Sequence, residues 1–325
     1  MQEMKYGLLT YAKQGHQFNI GDYVQSLAAK QFLPRVDALI NRESMALYNG
    51  DPIKIILNGW FTHNIVNWVP SEKIHPLFIS FHVNSSAAPY ILNPRALEYL
   101  KRHEPIGCRD KFTVKLLQEK GVNAYFSGCL TLTLETYAVR EADRRSNIYI
   151  VDPFYNYPSL SKVFSGWREC VRGIMNGDVL KLHRKARNLN KLINADLLKT
   201  AIYETQVLRS GTYSDEEKFA IADALLKKYA KAKLVITSRI HVALPCLAMG
   251  TPVIFVNGFT SFIDTCRFDG ILELFNRIDV GENGDVKPNF ALSGKIDENT
   301  MVKNFDAHKS LSESLKERCR NFIEK

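Results

Sequence analysis

The stretch KLVITSRIHVALPCLAMGTPVIFV, residues 233–256, constrains the fold more than any other. An apolar run ends at Ile236, a polar turn TSR follows, and a second apolar segment reaches Gly250. Gly is the residue expected just past a helix end, and Pro252 then leads into another apolar run. Strand, turn, helix and strand in this spacing make a parallel βαβ unit. Pro245 is tolerated only in a first helical turn or at a kink, so regular helix is expected to start near His241 or later. Ser238 is then the candidate cap.

The same alternation runs through the rest of the chain. YGLLTYA, VDALINRE, IKIILNGW and PLFISFHV read as strands, and PRALEYLKRH, DKFTVKLLQEKG and residues 23–33 as helices. Asp110 is placed to cap one helix and Gly121 to end it. A second α/β series starts at NIYIVD, and the polar stretch READRRSN lies between the two. A chain of 325 residues is comfortable for two such units. The expected architecture is therefore α/β, with two doubly wound, Rossmann-like domains facing across a cleft. Residues 1–143 form the first and 144–306 the second, with a helical insert at about 159–206. Residues 307–325 form a closing helix, placed to pack back on the first domain.

Composition excludes several classes. The six cysteines contain no C-x-x-C pair and the eight histidines no metal-binding spacing, so reduced thiols and no metal are expected. Walker A, G-x-G-x-x-G and G-x-S-x-G motifs are absent. The net charge of +9 is shared by both halves without a basic tail, which suits small anions or an anionic membrane face better than nucleic acid. The N-terminus lacks the apolar core of a signal peptide, and VALPCLAMGTPVIFV is too short to span a bilayer. A cytoplasmic protein is expected, free or at the inner membrane face, with no nucleic-acid partner.

Candidate site residues fall at strand-to-helix turns, where open α/β sheets bind ligands. Arg239 and His241 stand beside a helix N-terminus, which favours anions. Arg239 offers a planar fork to carboxylate or phosphate, and His241 exchanges protons near neutral pH. Arg109 repeats this placement in the first half. Asp22, in NIGDYVQSLA, reads equally as a helix cap with Gln25 or as a carboxylate held over a substrate. Asn58, Gly59, Trp60 and His63, with Trp68, offer a polar turn and an aromatic floor for a sugar, or a loop packed down by its tryptophans. His82 and Asn19 complete the acceptor candidates. Ser127 and Gly128 line the cleft or make a tight turn. Cys108 reads as a small buried residue rather than a nucleophile.

NIGDYVQSLA, IGCRDKFTVKLLQEKG and VITSRIHVALPCLAMGTPVIFV occur in the same order in polysaccharide pyruvyl transferases, which the chain resembles over roughly residues 7–257. The resemblance implies a fold like that of GT-B glycosyltransferases. It also implies transfer of a pyruvyl group from phosphoenolpyruvate to a sugar as a cyclic ketal, with no other cofactor. Carried over residue by residue, it points to Asp22, Arg109, Arg239 and His241. One departure is ILNGWF, where many members have a Gly-rich turn. In this reading His241 is the acid and Asp22 the base, while Arg109, Arg239 and Ser238 hold phosphoenolpyruvate. The acceptor in this reading is a glycan, free or linked to a polyprenyl diphosphate carrier. The competing readings are a GT-B glycosyltransferase with a nucleotide-sugar donor, and a sugar- or anion-binding module without chemistry.

Residues 167–191 carry seven Lys/Arg against two acids. They read either as a solvated helix face or as a docking surface for an anionic lipid carrier or the membrane interface.

Overall fold

The structure is a computed structural model of the chain. It describes residues 3–11, 17–60, 67–158, 163–164, 166–209, 213–258, 264–281 and 283–325, without the side chains of Trp60 and Arg209. His63 lies outside the described residues.

The first half supplies β1 (Lys5–Thr10), β2 (Gln17–Asn19), β3 (Ala38–Asn41), β4 (Ile53–Trp60), β5 (Ile74–His82), β6 (Ile106–Cys108) and β7 (Ala124–Phe126). All but β2 join one parallel sheet in the order β3-β1-β4-β5-β6-β7. The second half supplies β8 (Ile148–Val151), β9 (Ile202–Glu204), β10 (Val207–Arg209), β11 (Leu234–Thr237), β12 (Val253–Asn257), β13 (Asn276–Val280) and β14 (Val286–Pro288). Here the order is β14-β13-β12-β11-β8-β9, parallel except for the edge strand β14. In both sheets the first strand lies between the second and the third. The strand order therefore reverses between β1 and β4, and again between β8 and β11. Such switch points leave a crevice at the carboxyl ends of the strands, where doubly wound folds bind ligands.

The helices are α1 (Ile20–Lys30), α2 (Ala88–Ile91), α3 (Pro94–Arg102), α4 (Lys111–Gln118), α5 (Trp167–Met175), α6 (Asp178–Leu192), α7 (Ala195–Thr200), α8 (Asp215–Ala230), α9 (Ile240–Ala248) and α10 (His308–Glu324). Asp110 caps α4 by accepting from Thr113 N at 2.8 Å, as its position in sequence predicts. A full capping box between Ser214 and Glu217 starts α8.

Several local expectations are corrected. α1 opens at Ile20 and its cap is Asn19, whose side chain accepts from Gly21 N at 3.1 Å, so Asp22 lies inside the first turn. α9 opens at Ile240 with no side-chain cap. Ser238 is instead tied to its own sheet, donating to Val256 O and accepting from Phe154 N. Pro245 sits inside α9 rather than in its first turn. The helical insert is broken by Gly177, in the left-handed region at φ 67°, and it ends in strand β9.

The two halves are joined by more than a linker. β2 and β10 form an antiparallel ribbon, and Ile20 N donates to Gln206 O at 2.8 Å. One core cluster runs from Leu8 and Ile55 through Ile240 and Leu244 to Phe255 and Cys319. A second, smaller core fills the outer face of the second sheet around Ile150, Ile236 and Ile278. α10 returns to the first half, where Ser312 Oγ donates to Leu132 O and Lys54 Nζ to Phe322 O. Among the described residues no helix is long and apolar enough to cross a membrane.

Candidate active site

Both switch points carry the proposed residues. On the first sheet, Asp22 lies in the first turn of α1, after β1 and β2, and Asn58 and Gly59 lie in the last residues of β4. His82 ends β5, and Arg109 follows β6. On the second, Asp152 follows β8, Arg239 follows β11, and His241 lies in the first turn of α9. The two groups meet. A Cβ built on Gly21 would lie 2.9 Å from Gln206 Oε1 and 3.2 Å from the His241 Cβ. Only glycine lets the start of α1 approach the start of α9 so closely.

The proline in α9 matters here. It carries no N–H, so the His241 carbonyl loses its helical donor at residue 245. Gln206 Nε2 donates to that carbonyl instead, at 3.1 Å. Gln206 is buried and its backbone N–H donates to Asp152 Oδ2 at 2.9 Å. Asp152, at a left-handed φ of 45°, also accepts from Arg239 Nε at 3.0 Å. The Arg239 guanidinium lies 4.0 Å from the centre of the Tyr155 ring. One carboxylate thus fixes both the arginine and the glutamine that holds the histidine turn.

Arg109 is 2% exposed and makes no ion pair among the described residues, and its Nε has no hydrogen-bond partner. Arg267 Nε is likewise buried and unpartnered. The sequence reading missed Arg267. It lies in the short helical turn Thr265–Phe268 after β12, and Asp264, which caps that turn, also accepts from Ser85 N and Oγ beyond β5. Arg267 lies close enough to push the Arg109 guanidinium below its ordinary value, second only to burial. A buried, uncompensated cation costs several kcal/mol, of order ~3–5, so an anionic ligand is the partner such a pair fits.

His241 is 5% exposed and its Nε2 has no partner. Burial, and then Arg109, Arg267 and Arg239, hold it well below the ordinary histidine value, so it is neutral. Asp22 moves the other way. Burial raises its carboxyl, while Arg42, Arg267, Arg109 and Arg239 oppose the shift. Its Oδ1 accepts from Gln25 Nε2 at 3.2 Å. Arg42, also missed, follows the strand β3 and opens the short helical turn Arg42–Leu47. It is buried, pairs with Glu43 and stands 4.8 Å over the Tyr11 ring. Its place at a strand end was the signal available.

His82 faces Asp110, with Nδ1 and Oδ2 2.6 Å apart, and its Nε2 lies 3.1 Å from Asn84. Burial and Arg109 lower it, while Asp110 opposes. Burial alone would raise the Asp110 carboxyl. The hydrogen bonds from His82 and Thr113 and the charge of Arg109 outweigh it and lower the carboxyl. Asn58 Nδ2 donates to Gln25 O at 2.8 Å, which leaves Asn58 Oδ1 and Gln25 Oε1 buried without donors. Gly59, at φ 110°, brings β4 against Gln25.

Other candidates do not join this cluster. Trp68 is no sugar floor: it is 1% exposed, stacks on Phe81 and donates to Ile91 O. Ser127 and Gly128 form the tight turn, with Ser127 Oγ donating to Cys108 O and accepting from Ser80 N. Burial pushes the Cys108 thiol up, as expected of an inert core residue.

Fold and site together define a two-sheet α/β protein whose strand ends bring arginines together beside a carboxylate and a neutral imidazole. The narrower assignment comes from sequence: residues 19–258 match the model of the family described as polysaccharide pyruvyl transferase, and the chain belongs to that family. No curated protein matches the chain. A solved structure of a functionally uncharacterised protein from Klebsiella pneumoniae is 14% identical, with a TM-score of 0.43, over 82% of this chain and 88% of that one.

Proposed function

We propose that the protein is a ketal pyruvyltransferase. It moves the pyruvyl group of phosphoenolpyruvate to two hydroxyls of a sugar in a polysaccharide or lipid-linked glycan precursor, and releases phosphate. In this reading residues 1–143 serve the acceptor and 144–306 the donor, facing one another in a GT-B-like manner. The observation that carries the proposal is the pair Arg109, buried, and Arg267, half-buried with a buried Nε, which make no ion pair among the described residues and lie beside His241 and Asp22.

Phosphoenolpyruvate carries a carboxylate and a phosphate on a three-carbon frame, and the arginines are its natural counter-charges. Arg239, locked on Asp152 and Tyr155, presents its remaining N–H groups without reorganisation. His241 is neutral before the donor enters. The anion offsets the arginine charges that depress it, so the imidazole gains a proton as the donor binds. It then protonates the methylene carbon, which makes the adjacent carbon cationic. Asp22, more basic than an ordinary carboxylate, takes the proton of the attacking hydroxyl. Phosphate leaves, and the second hydroxyl closes the ketal. Of the two hydroxyl protons, one ends on the new methyl group and the other leaves with phosphate, so the reaction balances without a redox step.

The test is incubation with phosphoenolpyruvate and candidate glycan acceptors, following phosphate release and acceptor mass. Equimolar phosphate and a pyruvate-sized mass gain support the proposal. A hexose-sized gain from a nucleotide sugar would overturn it.

A further inference from the structure

The basic segment 167–191 folds into the helices α5 and α6, and its apolar residues are turned outward. In α5, Trp167, Val171, Ile174 and Met175 are 74%, 48%, 62% and 81% exposed. Their spacing of four, seven and eight residues puts them on one stripe. The opposite side packs inward through Gly173, where an added Cβ would meet Val163 at 2.9 Å. Arg168 and Arg172 flank the stripe on one side, and the Arg168 guanidinium lies 5.5 Å from the Trp167 ring. Beyond the Asn176–Gly177 turn, Val179 and Leu180 are exposed as well. On α6, Leu180, Arg184, Arg187 and Lys191 share a second outward stripe. Lys185 faces the other way, toward Asp152 and Arg239.

An exposed tryptophan and long aliphatic side chains, edged by arginines, are what an interfacial helix presents to a bilayer. A second copy of the chain is a poor occupant, because seven Lys/Arg against two acids would face their own kind. We propose that α5 and α6 dock the protein on an anionic lipid bilayer. Trp167, Val171, Ile174, Met175 and Leu180 enter the headgroup boundary, and Arg168, Arg172, Arg184 and Arg187 pair with lipid phosphates. Docked this way, the inner side of α6 faces the Arg239 end of the site while its outer side lies on the membrane. The proposal does not depend on the reaction catalysed.

Co-sedimentation of the full-length protein with vesicles tests it. The protein binds vesicles of phosphatidylglycerol and phosphatidylcholine and leaves pure phosphatidylcholine vesicles unbound. The triple variant Trp167→Ser, Ile174→Ser, Met175→Ser and the double variant Arg184→Gln, Arg187→Gln each weaken binding by on the order of tenfold or more. In the unaltered protein, vesicles shift tryptophan emission to the blue, and Trp167→Phe removes that shift. This second readout needs no serine variant to fold. Equal binding to both vesicle types, no binding at all, or an emission shift that survives Trp167→Phe would overturn the proposal. So would a triple variant that turns a dimer into a monomer without vesicles, since the stripe would then be an interface between copies.

Discussion

Gln206 and His241 are joined by a hydrogen bond that exists because of a third residue. Pro245 denies the His241 carbonyl its helical donor, and Gln206 Nε2 fills that place from the other side of the α1–α9 contact. Gln206→Ala leaves a buried carbonyl unpaired and lowers stability by about 1–3 kcal/mol. In a Pro245→Ala background residue 245 regains its N–H, and the same substitution costs less. Chemical denaturation of the four proteins measures the coupling; equal losses in both backgrounds would show that the bond is idle.

Arg109→Met should make the fold more stable and the protein inactive. The methionine removes a buried charge that makes no ion pair among the described residues, which is worth about 1–4 kcal/mol where the site repacks well. Thermal melting rises while phosphoenolpyruvate binding, followed by calorimetry, is lost. A fall in melting temperature would mean that the guanidinium is compensated within the fold. Arg267→Met should also lose binding, with a smaller gain in stability because Arg267 is only half-buried.

The histidine environment sets the sign of the acid response. His241 in the folded chain lies below the ordinary value of 6.5. Between those two values the unfolded chain holds a proton that the folded chain does not. Its contribution to stability is therefore present above pH 6.5 and lost as pH falls. His82, His103 and His308 are lowered too and add the same sign. Asp22, raised by burial, acts with the opposite sign. Relative to the unaltered protein, His241→Gln reduces the fall in stability between pH 7 and 5, by up to about 1.4 kcal/mol per pH unit. Denaturant melts across that range measure it, and identical slopes would contradict the neutral assignment.

Donor binding should take up a proton. Calorimetric titration of phosphoenolpyruvate in buffers of different ionisation enthalpy gives a heat that depends on the buffer. His241→Gln removes that dependence if it still binds. A proton count of zero in the unaltered protein would remove His241 from the acid role.

Asp22→Asn and Asn19→Ala separate the two readings of the first turn. The cap belongs to Asn19, so Asn19→Ala costs about 1 kcal/mol. Asp22→Asn leaves stability unchanged or slightly higher and abolishes turnover. Retained activity in Asp22→Asn would rule out a catalytic base there.

The sequence was most readable where one segment decides its own structure. The apolar run to Ile236, the turn and Gly250 define β11 and α9, and with them the positions of Arg239 and His241. Asp110 capping Thr113 is equally local. The cap at Asn19 was displaced to Asp22 because both residue types suit either position. Arg267 and Gln206 were not readable: one joins the site through the tie from Asp264 to Ser85, the other through a ribbon between strands of three residues each. No local pattern announces such contacts. Trp68 was misjudged because an aromatic residue in a polar loop looks the same whether it stacks on a ligand or on Phe81.

The return of α10 to the first sheet bears on how the protein is made. Lys54, in β4, donates to the carbonyl of Phe322, 268 residues further along the chain. While the ribosome is still adding the second half, the surface later covered by Leu315 and Cys319 stands open to water and to other nascent chains. A stop codon anywhere before α10 would strand the first sheet in that state. The last helix thus covers strands made near the start of the chain.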